Sequence, residues 1–430
     1  MDRRRLLCGR RPLPCEGISL SATTNGPLSG LTVIDLSRVL AGPWCSQILG
    51  DLGANVIKVE QPGQGDDTRK WGPPFLQDGS EDSAYYLCAN RNKRSIAIDI
   101  AKPEGAALVQ ELVAGADIFI ENFRVGGLAK YGLDYESLRA IKPDLIYCSV
   151  TGFGQDGPMA NAGGYDFLIQ GMSGLMSVTG HPDDVPGGGP MKVGTPTSDL
   201  STGLYAATSI LAALHHRTKT GAGQMIDIAL LDTQVALLAH QASNWMNGGK
   251  LPQRMGNGHA NMVPYQDFRC ADGSVLIALG NDRQFKSFAG IIGRADLAED
   301  KRFIRVADRT ANRDLLLSIL VPIIADWEAQ DLITQLRAVG LPVGQVNDIP
   351  GVLDDEQIKA RGLHHSIQRH DQTEVQFLGF PAKLSETPAT YRHAPPRCGE
   401  DGAAILRERL GLDDPAIEML AQKGVLAKPD

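Results

Sequence analysis

The sequence predicts an α/β fold on an open, parallel sheet covered on both faces. Three observations carry that expectation. Short apolar runs alternate with helix-period stretches from Leu31 to Val150. The first of them, up to Glu60, closes a β-α-β unit, which brings two strands together in parallel. Finally, 430 residues with 43% hydrophobic and 21% charged side chains can bury a large core without disulfides or metal.

Leu31–Ser37 (LTVIDLS) is a short apolar run ending in serine and reads as a buried strand. Arg38–Pro43 reads as a turn, Trp44–Ala54 as a helix and Asn55–Glu60 as a second strand. A strand at Ser95–Ile100 leads into a helix over Pro103–Ala116, with proline where a first turn tolerates it. Strands follow at Asp117–Phe123 and Leu145–Val150. Phe167–Val178 reads as a helix broken by glycines, Asp183–Pro190 as a loop and Asp199–Thr218 as a long helix. Gln224–Leu230 is a strand and Leu231–Met246 a helix.

After a glycine-containing connector the composition changes. Val263–Leu279 reads as a hairpin on a two-residue Asp272-Gly273 turn. Helices are expected at Asp282–Ile292, Ala311–Trp327 and Ala329–Val339, and a strand at Leu341–Asp348. A hairpin at His364–Phe380 and a helix at Glu400–Gly411 follow. The expected organisation is a flexible extension (1–27), a large Rossmann-like domain (28–230), a linker (231–259), a small α+β domain (260–350), and a return segment completing the large domain (351–430).

The net charge of −8 argues against non-specific nucleic-acid binding, while a local basic pocket can still take an anion. Seven scattered cysteines form no C-x-x-C pair, and the reading is buried thiols in a reducing compartment. No apolar run is long enough for a membrane span. Arg3, Arg4, Arg5, Arg10 and Arg11 mark the start as either a transit peptide or a disordered extension. A cytoplasmic location is expected, or a mitochondrial matrix if that start is a transit peptide.

The common site signatures are missing: no G-x-G-x-x-G follows the first strand, and there is no P-loop, G-x-S-x-G elbow or H-E-x-x-H. His215 and His216 are adjacent on a helix and do not face one ligand, so no metal site is expected there. Asp199 opens a long helix after Thr195-Pro196-Thr197-Ser198. One reading is a plain N-cap, with Ser198 or Asp199 accepting from first-turn amides. The other is an exposed carboxylate that the helix dipole keeps ionised, able to attack an acyl carbonyl. Arg91, Lys93 and Arg94 are either a phosphate-attracting cluster or a solvated turn.

Six segments occur in a telling order: DLSRVLAGPWCSQILGDLGANVIKVEQPGQGDDTRKWGPPF, NRNKRSIAIDI, ENFRVGGLAKYGLDYESL, IYCSVTGFGQDGP, SDLSTGLYA and VPYQDF. Together they resemble the class III CoA-transferases, the CaiB–BaiF family, from about Leu28 to the C-terminus. The resemblance implies a catalytic aspartate at Asp199, working through aspartyl anhydride and aspartyl-CoA thioester intermediates. It implies CoA contacts at Arg38, Leu40, Ala41, Ile98, Asp99, Asn122, Phe123, Arg124, Lys130 and Tyr165. A mobile loop over the site would fall at Gly256, Asn257 and Gly258. An interlocked homodimer is implied, with no cofactor or metal required and an acyl-CoA thioester as substrate. The expected donor is succinyl-CoA and the acceptor a small dicarboxylic acid. Leu40 and Gln61 replace residues of some formyl-CoA transferases, which points away from oxalate. Alternatives are an α-methylacyl-CoA racemase, an inactive CoA-binding protein and a dehydrogenase. Gly164-Tyr165-Asp166 stands where racemases carry a histidine base, and tyrosine is a poor substitute.

Overall fold

The computed structural model describes residues 26–77 and 82–427. The arginine-rich start, Cys8 and Cys15 lie outside the described residues.

The first half alternates strand and helix: β1 (Thr32–Asp35), α1 (Ala41–Asp51), β2 (Asn55–Glu60), α2 (Ala84–Leu87), β3 (Lys93–Ala97), α3 (Pro103–Ala114), β4 (Ile118–Glu121), α4 (Tyr135–Ile141) and β5 (Ile146–Thr151). Then come α5 (Asp166–Met172), α6 (Leu175–Val178), α7 (Thr197–Thr220), β6 (Gln224–Ala229), α8 (Leu230–Ala236) and α9 (Ala239–Gly248). The six strands form one parallel sheet in the order β3-β2-β1-β4-β5-β6. The order in which successive strands are added reverses between β1 and β4. Loops leaving the carboxyl ends of those two strands diverge to opposite faces, which opens a crevice there.

The strands pack because their side chains serve two apolar layers. One layer joins Ile34, Ile57 and Phe119 to α3 and to Ile405, Leu406 and Val425 near the C-terminus. The other joins Val33, Val56 and Ile120 to α1 and α7. A separate core from Val263 to Leu341 surrounds β7 (Tyr265–Arg269), β8 (Ser274–Ala278) and the two-residue β9 (Val343–Gly344). The Tyr265–Ala278 ladder runs through Arg269–Ser274, so the loop spans 270–273 and is not the expected two-residue turn. The helix expected from Leu231 to Met246 breaks at Leu237 and Leu238, and the one from Ala311 breaks at Asn312. The strand expected over Leu341–Asp348 shrinks to β9. The hairpin His364–Gln368 with Glu374–Leu378 forms where expected.

The chain's end returns to its beginning. Arg392 donates to the carbonyls of Gly50, Gly53 and Ala54, closing the C-terminus of α1. Asn92 donates to the Thr390 carbonyl, and the Ser95 amide donates to Asp401. Among the described residues no helix is long and apolar enough to cross a membrane. Cys45, Cys148 and Cys270 are buried, Cys398 is half-buried and Cys88 is exposed; all five are free thiols.

Candidate active site

The crevice at the β1/β4 reversal holds a cavity of ≈ 290 Å³. Arg38, Leu40 and Ala41 reach it from the loop after β1, and Asn122, Phe123 and Arg124 from the loop after β4. Tyr165, at the start of α5, and Asp199, in the first turn of α7, complete its wall. Eight of the residues the sequence singled out therefore share one cavity. Ile98 and Asp99 line a neighbouring cavity of ≈ 200 Å³ that has Arg38 and Phe123 in common with the first. Lys130 lies outside both, exposed, with its ammonium 4.7 Å from the Tyr131 ring centroid. Gly256, Asn257 and Gly258 line neither cavity; the Gly256 amide donates to the Gly180 carbonyl instead.

The two loops are clasped. The Arg38 amide donates to Asn122 Oδ1 at 2.9 Å, and Asn122 Nδ2 donates to the Arg38 carbonyl at 2.7 Å. The Arg38 guanidinium lies 5.7 Å from the Phe123 ring centroid and pairs with Asp67 at 2.9 Å. Val39, between Arg38 and Leu40, has φ 71°, a left-handed conformation that β-branched residues strongly disfavour. Its amide donates to Asp66, itself fully buried against Lys58. Helix α1 starts at Ala41, so Gly42 and Pro43 belong to its first turn and not to the expected turn. The opposite wall needs glycine. A Cβ on Gly152 would lie 2.8 Å from Gly164 Cα, so these two backbones touch only because both lack side chains.

Asp199 differs from either sequence reading. The N-cap of α7 is Pro196, without a side-chain cap. The Ser198 amide is satisfied from another helix: it donates to Asp166 Oδ1 at 2.8 Å. Gln170 Nε2 donates to Asp166 Oδ2 at 2.6 Å, and Ser198 Oγ donates to Gln234 Oε1 at 2.9 Å. Asp199 is half-buried, and burial pushes its carboxyl up to about 7, with the Asp166 carboxylate adding to the shift. Desolvation and a like charge outweigh the helix dipole, the reverse of the expected lowering. The Asp199 charge also reaches Tyr85, whose phenol burial already holds well above its usual range. Tyr85 packs edge-on against Trp71 at 5.3 Å between centroids.

The basic cluster is structural. Lys93 is buried and pairs with Asp35 at 3.1 Å, Arg91 is buried and pairs with Asp51 at 2.5 Å, and Arg94 pairs with Glu408 at 2.8 Å. None of the three is a solvated charge or lines either cavity. Sequence reasoning covered Val39 only as part of the loop from Arg38 to Ala41, and missed Tyr85, Asp67 and the capping role of Asp166. Only Asp166 carried a local signal, as an acid at the start of a helix.

Chemically, the cavity offers a half-buried carboxyl beside backbone loops at the carboxyl edge of a parallel sheet. The family model for CoA-transferase family III matches residues 28–402. The succinate–glutarate CoA-transferase of Agrobacterium fabrum is 48% identical over 385 residues, covering 89% of this chain and 95% of that protein. The human succinyl-CoA:glutarate CoA-transferase is 40% identical over 400 residues, covering 93% and 90%. The crystal structure of a CAIB/BAIF family protein from Brucella suis matches with a TM-score of 0.78 at 47% identity, covering 90% of this chain and all of that one. The chain therefore belongs to CoA-transferase family III.

Proposed function

We propose that this CoA-transferase moves CoA from succinyl-CoA to a small dicarboxylic acid, glutarate foremost, with Asp199 as nucleophile. The observation that carries the proposal is the position of Asp199, a carboxyl in the cavity built by the β1 and β4 loops. The names of the relatives from Agrobacterium fabrum and human support the choice of donor and acceptor.

The chemistry follows from a half-buried carboxyl whose charged form burial disfavours. Asp199 Oδ attacks the succinyl thioester carbonyl; the C–S bond breaks, giving a succinyl-aspartyl anhydride and CoA thiolate. The thiolate then attacks the aspartyl carbonyl, forming aspartyl-CoA thioester and expelling succinate. A glutarate carboxylate attacks that thioester, again releasing thiolate, and leaves a glutaryl-aspartyl anhydride. Attack of thiolate on the glutaryl carbonyl gives glutaryl-CoA and returns Asp199 as carboxylate. No proton or electron is gained or lost over the cycle. Each covalent intermediate removes the Asp199 charge, so the burial and the Asp166 repulsion that disfavour the anion favour the acylated states.

Arg38, Leu40, Ala41, Ile98, Asp99, Asn122, Phe123, Arg124 and Tyr165 are proposed as the acyl-CoA contacts. A homodimer belongs to the same reading. It is supported by apolar side chains left exposed on α5, α7 and α9, among them Phe167, Leu204 and Trp245, at 63%, 53% and 55%. The separate core between Val263 and Leu341 supports a small domain over 260–350. Free cysteines fit a reducing compartment such as the cytoplasm.

The test is acyl exchange followed by mass spectrometry. Succinyl-CoA is offered a panel of carboxylic acids with wild type and Asp199→Ala. Glutaryl-CoA formed by wild type alone is the expected result. Exchange by Asp199→Ala would remove the nucleophile from the reading. Solvent deuterium entering a 2-methylacyl-CoA, with no exchange, would replace the transferase by a racemase.

A further inference from the structure

Six acids are buried among the described residues: Asp35, Asp51, Glu60, Asp66, Asp82 and Glu121. The first five are each ion-paired, with Lys93, Arg91, Arg69, Lys58 and the Arg69/Arg369 pair respectively. Glu121 makes no ion pair with any described residue. A buried carboxyl without a cation is expensive to keep, and a leucine of similar size would fill the same space without that penalty.

The place of Glu121 suggests why it is there. It ends β4, immediately before the Asn122–Arg124 segment. Its Oε2 accepts the Phe123 amide at 2.7 Å. The hydroxyls of Ser149 and Tyr147, on neighbouring β5, lie near enough to favour the ionised form of the same carboxyl, although the Tyr147 hydroxyl donates to the Leu133 carbonyl at 3.2 Å. Ser149 Oγ in turn accepts from Gln155 Nε2 at 2.8 Å, which leaves its own hydrogen for Glu121. Among the described residues the one backbone partner of this acid is thus the Phe123 amide, in the segment that clasps Arg38. Burial holds the acid near neutrality, at about 7, so the bond to Phe123 does not depend on a permanent buried charge.

We propose that Glu121 is a positioning residue for acyl-CoA: its carboxyl holds the Phe123 amide and so fixes the Asn122–Arg124 segment against Arg38. Glu121 touches no reacting atom, and its effect is on binding. The inference rests on the reading that this segment contacts acyl-CoA.

The test uses the full chain. CoA is titrated calorimetrically into wild type, Glu121→Leu and Glu121→Gln, and each protein is melted and assayed for exchange. Leucine fills the space and removes the acceptor; glutamine keeps an acceptor oxygen. The leucine variant should bind CoA about tenfold more weakly and raise KM for succinyl-CoA by the same factor. Its kcat should stay within about threefold, and its melting temperature should be unchanged or higher. The glutamine variant should bind within about threefold of wild type. Wild-type affinity in the leucine variant would overturn the proposal, as would equal weakening in both variants. Glu121→Met gives the same comparison if the leucine variant does not fold. The two readings fail separately: wild type that binds CoA but exchanges no acyl group refutes the transfer reaction, while the affinity series still decides the role of Glu121. Wild type that does not bind CoA refutes both.

Discussion

Replacing Asp199 by asparagine should make the protein more stable as well as inactive. In the fold the carboxyl titrates at about 7, against 3.8 for an unperturbed aspartate. A raised value means that folding favours the protonated form. That contribution is fully present below pH about 4 and is lost as pH rises through about 7. Above pH 7 the folded state therefore carries an ionised group it disfavours by about 4 kcal/mol. Asparagine never carries that charge. For 430 residues the unfolding entropy scales to about 0.9 kcal/mol/K, so about 4 kcal/mol corresponds to about 4–5 °C. The assay is paired thermal unfolding of wild type and Asp199→Asn between pH 4.5 and 8.5; the difference between them cancels every other titrating group. The gap should be about 1 kcal/mol at pH 4.5, widen steadily up to about pH 7 and level off above it. A constant gap, or a less stable variant at pH 8, would refute the reasoning that burial and Asp166 oppose the anion.

Three further outcomes follow from the same geometry. Exchange needs Asp199 ionised, so kcat/KM should rise with pH through about 7; Asp166→Asn, which removes the like charge, should move that inflection to lower pH, and an unmoved inflection would count against the pairing. Arg91→Ala leaves Asp51 buried without its cation and should lower stability by about 3–5 kcal/mol in denaturant titration. Val39→Gly relieves the left-handed backbone at φ 71°, worth about 1 kcal/mol or more. The expected result is a higher melting temperature together with a higher KM for acyl-CoA, because the loop after β1 is no longer held in one shape.

The parallel sheet was legible because it is written locally. β2 falls at Asn55–Glu60 as expected, since its flanks are a helix end and a turn. The position of Asp199 was legible too, through the ordered motifs around it and the long helix behind it. Its electrostatics were not. The helix dipole is a sequence-local effect, whereas the burial and the Asp166 carboxylate come from a helix that begins 33 positions earlier (199 − 166). The same limit explains Arg91 and Lys93. Three basic residues in four positions look solvated until Asp51 and Asp35, about 40 to 58 residues away, are folded against them. The start of α1 was misplaced because Gly42 and Pro43 resemble a turn, although both are tolerated in a first helical turn. Glu121 gave no signal, since a glutamate at a strand end is ordinary until its missing cation can be seen.

The return of residues 390–401 to α1 and β3 has a consequence for biosynthesis. The carbonyls of Gly50, Gly53 and Ala54 emerge from the ribosome long before Arg392, their donor, which lies more than 300 positions downstream. At ordinary translation speeds of about 5–20 residues per second, that interval is about 20–70 s. Throughout it the nascent sheet lacks Ile405, Leu406 and Val425 from one of its apolar layers. The Rossmann-like half of the chain is thus a late-closing unit, exposed to chaperones and proteases until residues 390–425 are made, and a premature stop after the small core would release it with that layer uncovered.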